Sequence, residues 1–587
     1  MPGQRWLLGD AHPAEASELA REARLPLVLA ELLTARGIRQ AAEASAFLNP
    51  EASQLHDPFL MHGMTAAVER LERAIALREP VLLYGDYDVD GTTAVVLLKT
   101  AIEMLGGVAR FHVPHRLLEG YGLQSSVLET ACAEGVRLVI TVDTGMRAFA
   151  EADTARRLGL DLIITDHHLL EAGDAVPDAL AILNPNQREC GYPEKFLCGA
   201  AIALKLGQAV LERRDRERTR TKTLPSFLKM AAIATIADAV PLKGENRVIA
   251  ALGLRELRAP AGAGLRALFA VAALDPAAKA ITAFDVGFRL GPRINAAGRM
   301  DVASEVIELF TTRDPARAAE LAAKLERLNQ ERRTTEATAL AAIETRLAAD
   351  PELAEDRLLV VDGDGWHRGV IGILASRVVE RTARPAIVVS VEDGVAYGSG
   401  RSVEGFQLLD AIEGCADLFT RFGGHAFAVG FALPADALPE LKRRLRMYAA
   451  EKLADREPEH VLRIHAELAL DRITPVLAGW LHKLEPFGHG NPEPVFVARA
   501  VRLLAQPRTM KERHVRLELA QESTQPEPRP GSSGSVKAVG WNLAARVAAL
   551  GLRQGSRIDV AYRIRENDHP EFGGLEIEIA GIEPCAS

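Results

Sequence analysis

The chain has 587 residues, a formal net charge of −9, and 48% hydrophobic and 25% charged residues, the balance of an ordinary water-soluble protein of roughly two to four domains. The acidic balance argues against a protein that coats duplex DNA through bulk positive charge, but leaves room for a narrow basic channel. No apolar run reaches the about 18 residues of a spanning helix, the N-terminus lacks the apolar centre of a signal peptide, and the five scattered cysteines form no Cys-x-x-Cys pair; a membrane protein, structural zinc and a disulfide framework are not expected, and a cytoplasmic monomer is.

Residues 12–48 carry apolar spacing of helical type and read as a helical N-terminal arm, taken as residues 1–60. A helix over 64–79 leads into a strand at 81–85. Then follow a helix (92–105), a strand (108–113), a helix (125–133), a strand (138–142), a helix (148–157) and a strand (162–165). Strands that are apolar throughout and alternate with helices predict an α/β domain with a parallel sheet covered on both faces, over 61–312. The run Arg213 to Lys222 reads as a solvated helix end or loop. Residues 315–349 lack Gly, are strongly charged and hold helical spacing, so a long helix over 313–352 is expected to connect two domains. A smaller α/β domain over 353–455 begins with Leu358 to Val361, a helix (369–381) and a strand at Ala386 to Val389. From 456 to 587 the pattern is mostly strands, interrupted by a Pro/Gly/Ser/Glu-rich insert from Gln521 to Ser535 that reads as a disordered loop.

The chemistry concentrates where apolar runs end. Asp86, Asp88 and Asp90 alternate between Val81-Leu82-Leu83 and Ala94 to Leu98. Like charges that close resist ionisation, and carboxylates favour hard cations such as Mg2+ or Mn2+. Asp143 directly follows one strand, Asp166-His167-His168 directly follow another, and Asp238 closes an apolar helix. Ligands bind outside the carboxyl ends of parallel strands, so these clusters are expected to converge. Taken singly, each is weak, because an Asp after a strand is commonly a helix N-cap. Together they offer enough oxygen and nitrogen ligands for two ions about 3.5–4 Å apart, the spacing of two-metal hydrolases.

This set resembles the DHH phosphoesterase superfamily, and Gly423-Gly424-His425 resembles its DHHA1 domain. The whole pattern is similar to the RecJ exonuclease family, through Arg116, Glu119 to Leu123, Gly291 to Met300, Trp366 to Gly372, Gly398 to Ser402 and Pro486 to Pro492. Thr144 departs from it, since the family more often carries Asn after this Asp. The resemblance implies a parallel-sheet DHH domain, a long connecting helix, a DHHA1 domain and a C-terminal β-barrel of OB type. It implies a 5′→3′ exonuclease on single-stranded DNA that releases 5′-mononucleotides with two Mn2+ or Mg2+ ions, in DNA repair and recombination. Asp88, Asp90, Asp143, His167 and Asp238 would ligate metal, with Asp143 bridging, and Asp86 would be a further ligand. Asp166 and His168 would join Asp143 in catalysis. Arg116, Tyr121, Arg293, Asn295, Arg299, Ser399, Arg401 and His425 would hold the 5′ end and nearby phosphates, Arg through bidentate contacts. A structural ion pair is an equal reading for Arg293 and Arg299, and a core role is another for His425. Arg508, Lys511, Arg513, His514 and Arg516 are candidates for strand binding by the OB region, with a solvated hairpin as the alternative. A single-strand binding protein and a RecQ-type helicase are the partners the resemblance implies. A relative acting on short oligonucleotides or cyclic dinucleotides, or an inactive replication scaffold of the same superfamily, are the competing readings.

Overall fold

The run Leu138 to Val142 has no charged residue and one polar one, Thr141, with apolar side chains on both faces, so it forms a strand only with both faces covered. A computed structural model gives the fold of residues 4–9, 12–116, 119–120, 122–170, 175–260, 262–454, 456–521, 535–567 and 573–585. All five residues of that strand are buried. It is central in a five-stranded sheet, in spatial order Val108–His112, Pro80–Gly85, Leu138–Val142, Asp161–Thr165 and Ala181–Leu183. Every neighbouring pair is parallel. The register pairs Gly85 with Val142, Val142 with Thr165 and Thr165 with Leu183. The next residues, Asp86, Asp143, Asp166 and Asn184, therefore leave four strands at one level.

Helices Val89–Met104, Gly199–Arg218 and Leu224–Ala237 share one apolar core with this sheet. The helix Pro315–Ala349 is continuous over 35 residues and capped by Asp314, which accepts from Ala316 N at 2.9 Å; at 1.5 Å per residue it spans about 52 Å. Near its start Ala318, Leu321, Ala322 and Leu325 enter the first core, and near its end Ala339, Leu340 and Ile343 enter a second. The second sheet runs Arg421–His425, Ala428–Pro434, Val395–Arg401, Ala386–Glu392, Leu359–Asp364, and only its last pair is parallel. The basic run at 213–222 closes the helix Gly199–Arg218 and a π turn, Thr219–Thr223, with Arg213 paired to Glu72 and Arg220 to Glu212.

The chain divides into two compact units, Leu55–Pro458 and, separately, Gly3–Gln54 with Glu459–Ser587. The N-terminal residues expected to form an arm of their own thus share a unit with the C-terminal region. The reason is apolar burial. Ala16, Leu19, Leu29, Leu32 and Leu33, from helices Pro13–Ala23 and Leu27–Thr34, pack in one core with Leu468, Phe496, Tyr562 and Ile577, and the strand Gln4–Leu8 pairs in parallel with His460–Ile464. The C-terminal sheet is mixed and seven-stranded. It is not a closed barrel: strands Phe496–Leu503 and His514–Ala520 meet only at Arg502 with Ala520 and Leu503 with Leu519. Most of the low-complexity insert, residues 522–534, lies outside the described residues.

Leu29 is fully buried in this shared core. Leu29→Ala is expected to cost about 2–5 kcal/mol, read as a lower urea midpoint for this unit. An unchanged midpoint would show that the N-terminal helices add nothing to the C-terminal core.

Candidate metal centre and arginine cluster

Asp88 is the N-cap of the helix Val89–Met104, and its Oδ1 accepts from Asp90 N at 2.8 Å and Gly91 N at 3.1 Å. Asp90, in the first turn of that helix, is gripped by a second helix end: Oδ2 accepts from Gly199 N at 2.6 Å and Oδ1 from Ala200 N at 2.7 Å. An anion at the positive end of a helix dipole is stabilised there. The approach requires glycine, because a Cβ on Gly199 would lie 2.6 Å from the Cβ of Asp143. Asp143 has φ of 60°, in the left-handed region uncommon for a non-glycine residue, and its N donates to Thr165 O at 2.9 Å.

Three sets of potential ligand atoms gather here, each within 4.8 Å: Asp90, His167 and Asp238; Asp86, Asp88 and Asp143; Asp143, His167 and His168. Asp143 and His167 each belong to two of them. His167 Nε2 lies 3.2 Å from Asp143 Oδ1, 3.8 Å from Asp90 Oδ2 and 3.9 Å from Asp238 Oδ2. Asp86 Oδ1 and Asp143 Oδ1 are buried and accept no hydrogen bond among the described residues. Buried carboxylate oxygens without donors fit ligands for a hard cation.

The electrostatics agree with that fit. Burial and then Asp88 push the Asp86 carboxyl well above the usual range. Burial, then Asp90, Asp88, Asp86 and Asp238, do the same to Asp143, and burial followed by Asp90 raises Asp88. Asp238 is pushed up to about 9 by burial and then by Asp90 and Asp88. Burial lowers His167, keeping its imidazole neutral and able to ligate.

Asp166 is placed differently. Its Oδ1 accepts from His167 N at 2.8 Å and His168 N at 3.1 Å and faces His168 Nδ1 at 2.7 Å, while Oδ2 accepts from Met146 N at 2.9 Å. Burial alone would raise this carboxyl, but the His168 hydrogen bond and charge outweigh it and hold it low. Asp166 thus orients His168. The histidine rises to about 9: burial opposes protonation, and the Asp166 hydrogen bond and charge overcome it. Asn184 and Asn186, missed in the sequence, secure the same turn, donating to His168 O at 2.9 Å and His167 O at 3.1 Å.

Arg116 stacks over the Tyr87 ring at 5.0 Å. Arg299 Nη1 donates to Gly369 O at 3.1 Å, joining the helix Gly291–Met300 to the second α/β segment. Gly298, beside it, packs where a Cβ would lie 2.3 Å from Tyr87 O. Arg401 Nη1 donates to Ser399 Oγ at 3.3 Å and Gly400 O at 2.8 Å. Among the described residues none of these three arginines forms an ion pair. Burial, then Arg116 and other arginines including Arg401, lowers Arg299 to about 10, and burial followed by Arg116 lowers Arg401. Exposed His425 lies near enough to feel Arg401, after burial, in its own lowered value.

Two expected contacts are committed elsewhere. Arg293 bonds Glu326 at 2.5 Å and Arg289 O at 2.6 Å, and Asn295 Oδ1 accepts from Val89 N at 3.0 Å. The structure gives Arg293 the ion-pair role and makes Asn295 a brace for the helix that presents Asp88 and Asp90. Tyr121 lies outside the described residues. In the other unit Arg508 faces Arg516 across a hairpin, and His514 meets exposed Trp541 edge-on at 5.0 Å.

Family models match the DHH family N-terminal domain over residues 80–235, the DHHA1 domain over 355–451 and the RecJ OB domain over 464–580. The single-stranded-DNA-specific exonuclease RecJ of Escherichia coli is 34% identical over 579 residues, 96% of each chain. The chain belongs to the RecJ family. The Bacillus subtilis RecJ is 35% identical over 573 residues, 96% of this chain and 69% of that one. The crystal structure of Thermus thermophilus RecJ with Mn2+ superposes with a TM-score of 0.82 at 28% identity, covering 99% of this chain and 80% of that one. A Mg2+ complex of the same protein gives 0.75 at 27%, over 99% and 79%. Among the described residues no helix is long and apolar enough to cross a membrane.

The raised Asp238 makes a pH prediction for the metal-free protein. Its folded value of about 9 exceeds the unfolded value of about 3.9, so the fold holds the extra proton between them and loses stability as pH rises through that window. In EDTA, melting temperature is expected to fall from pH 6 to 8.5, less steeply in Asp238→Asn, and Mn2+ should restore it at high pH. Parallel profiles for the two proteins would contradict this placement of Asp238.

Proposed function

We propose that the chain is a metal-dependent exodeoxyribonuclease that digests single-stranded DNA 5′→3′, releases 5′-mononucleotides by two-metal hydrolysis, and acts in DNA repair and recombination in the cytoplasm. The observation that carries this reading is the junction, in one compact unit, of the Asp and His cluster with three arginines that have no acidic partner among the described residues. Anionic substrate and cationic cofactor are what the two clusters lack.

The residues fit two Mn2+ or Mg2+ ions. Asp86, Asp88 and Asp143 would hold one, Asp90, His167 and Asp238 the other, with Asp143 reaching both. When bound, the ions polarise the scissile phosphate and lower the pKa of the attacking water. Asp166 keeps His168 protonated and oriented, so its imidazolium can donate to a phosphate or leaving oxygen. Arg116, Arg299, Ser399 and Arg401 hold the terminal 5′ phosphate, with His425 at the rim. Anchoring that end beside the metals sets the polarity. The relatives named single-stranded-DNA-specific exonucleases support the substrate class. The OB-type unit offers Arg508, Lys511, Arg513, Arg516 and Trp541 to the strand, by charge and base stacking. A single-strand binding protein and a RecQ-type helicase are its proposed partners.

The test is digestion of single strands labelled at either end, with Mn2+. The expected result is immediate release of the 5′ label as a mononucleotide, and a loss of at least about 10³-fold in Asp143→Ala with unchanged circular dichroism. Release of the 3′ label first, or activity retained by Asp143→Ala, would overturn the assignment. Cleavage confined to dinucleotides would favour the short-oligonucleotide reading.

A further inference from the structure

The guanidinium of Arg299 has one hydrogen-bond acceptor among the described residues, Gly369 O at 3.1 Å. Whatever holds that carbonyl therefore aims Arg299. His367 holds it twice. Val370 N, in the same peptide as the carbonyl, donates to His367 O at 2.9 Å. The preceding amide, Gly369 N, donates to His367 Nδ1 at 3.0 Å. A backbone amide can only donate, so Nδ1 is the unprotonated nitrogen and the ring proton sits on Nε2. Burial lowers His367 and keeps that acceptor free. Gly369 leaves no slack, because a Cβ there would lie 2.4 Å from Arg299 O and 3.0 Å from His367 Nδ1.

The same short segment also meets Ser399 and Arg401. The Arg368 guanidinium stacks over the Tyr397 ring at 3.7 Å. Tyr397, Ser399 and Arg401 share one face of the strand Val395–Arg401. Gly372, at the start of the helix Ile371–Thr382, sits where a Cβ would lie 3.2 Å from both Ser399 Oγ and Arg401 Nη2. Residues 367–372 thus touch Arg299 at one end and Ser399 and Arg401 at the other, and set the spacing between them.

We propose that His367 is a positioning residue: by fixing the peptide between Gly369 and Val370 it aims the Arg299 guanidinium toward Ser399 and Arg401, and so sets the preference for a terminal 5′ phosphate over a 5′ hydroxyl. The inference rests on the proposed single-strand exonuclease function, in which these groups hold the 5′ end. His367 acts on the strand only through Arg299. A planar guanidinium that grips an oxyanion by two hydrogen bonds is sensitive to its angle, so a loosened carbonyl weakens the grip.

The experiment measures kcat/KM of the full chain with Mn2+ on single strands ending in 5′ phosphate or 5′ hydroxyl. His367→Ala is expected to lower the phosphate-to-hydroxyl ratio about tenfold, the worth of one hydrogen bond to a charged group, with the hydroxyl strand nearly unaffected. His367→Asn keeps an oxygen that accepts the amide two residues on, as in an Asx turn, and should retain the ratio. In Arg299→Ala, which lowers the ratio itself, adding His367→Ala should lower it no further. If His367→Ala does not fold, His367→Gln, whose acceptor sits one carbon further out, should show the same fall. Equal losses on both strands, an unchanged ratio, or a fall that persists in Arg299→Ala would make His367 a packing residue and overturn the proposal. Arg299→Ala with the wild-type ratio would instead overturn the placement of Arg299 at the 5′ end, on which the inference stands.

Discussion

Five carboxylates, Asp86, Asp88, Asp90, Asp143 and Asp238, meet at the end of one parallel sheet, and their mutual repulsion is the constraint on which the rest depends. The fold relieves it only in part. Backbone amides at two helix N-termini take up Asp88 and Asp90. Asp86 and Asp143 keep buried oxygens with no donor among the described residues. The residual negative charge is what divalent cations neutralise, so the cluster belongs with metal chemistry and not with an acidic turn.

Beside it stands the opposite imbalance. Arg116 and Arg299 lie close enough to Asp86, Tyr87 and Asp88 to perturb them or be perturbed by them, and Arg401 lies close enough to Arg299 to lower it further. In the proposed function a phosphodiester strand would resolve both imbalances at once, giving the arginines an anion and bringing its scissile group to the residues that would hold the metals. The long helix and the contact of Arg299 with Gly369 link the two sheets that contribute these residues.

Much of this was legible in the sequence. Apolar runs ending in Asp located the strand ends because a fully buried strand leaves no ambiguity of face, and the uninterrupted spacing of 315–349 gave the long helix. Less legible were the roles set by distant backbone. Asp166 reads like its neighbours, but Met146 N and the following amides occupy it, so it orients His168. Arg293 and Arg299 lie six residues apart in one motif; only packing shows that Glu326 claims the first. The N-terminal helices look self-contained because their core partners, Phe496 and Tyr562 among them, come from the far end of the chain.

The most direct measurement of the central claim is to count and pair the bound ions. Mn2+ titration of the metal-free protein, followed by electron paramagnetic resonance, is predicted to give two ions per chain with the spin coupling of a shared ligand, and Asp143→Asn is predicted to abolish that coupling. One uncoupled ion, or none, would contradict a two-metal centre bridged by Asp143.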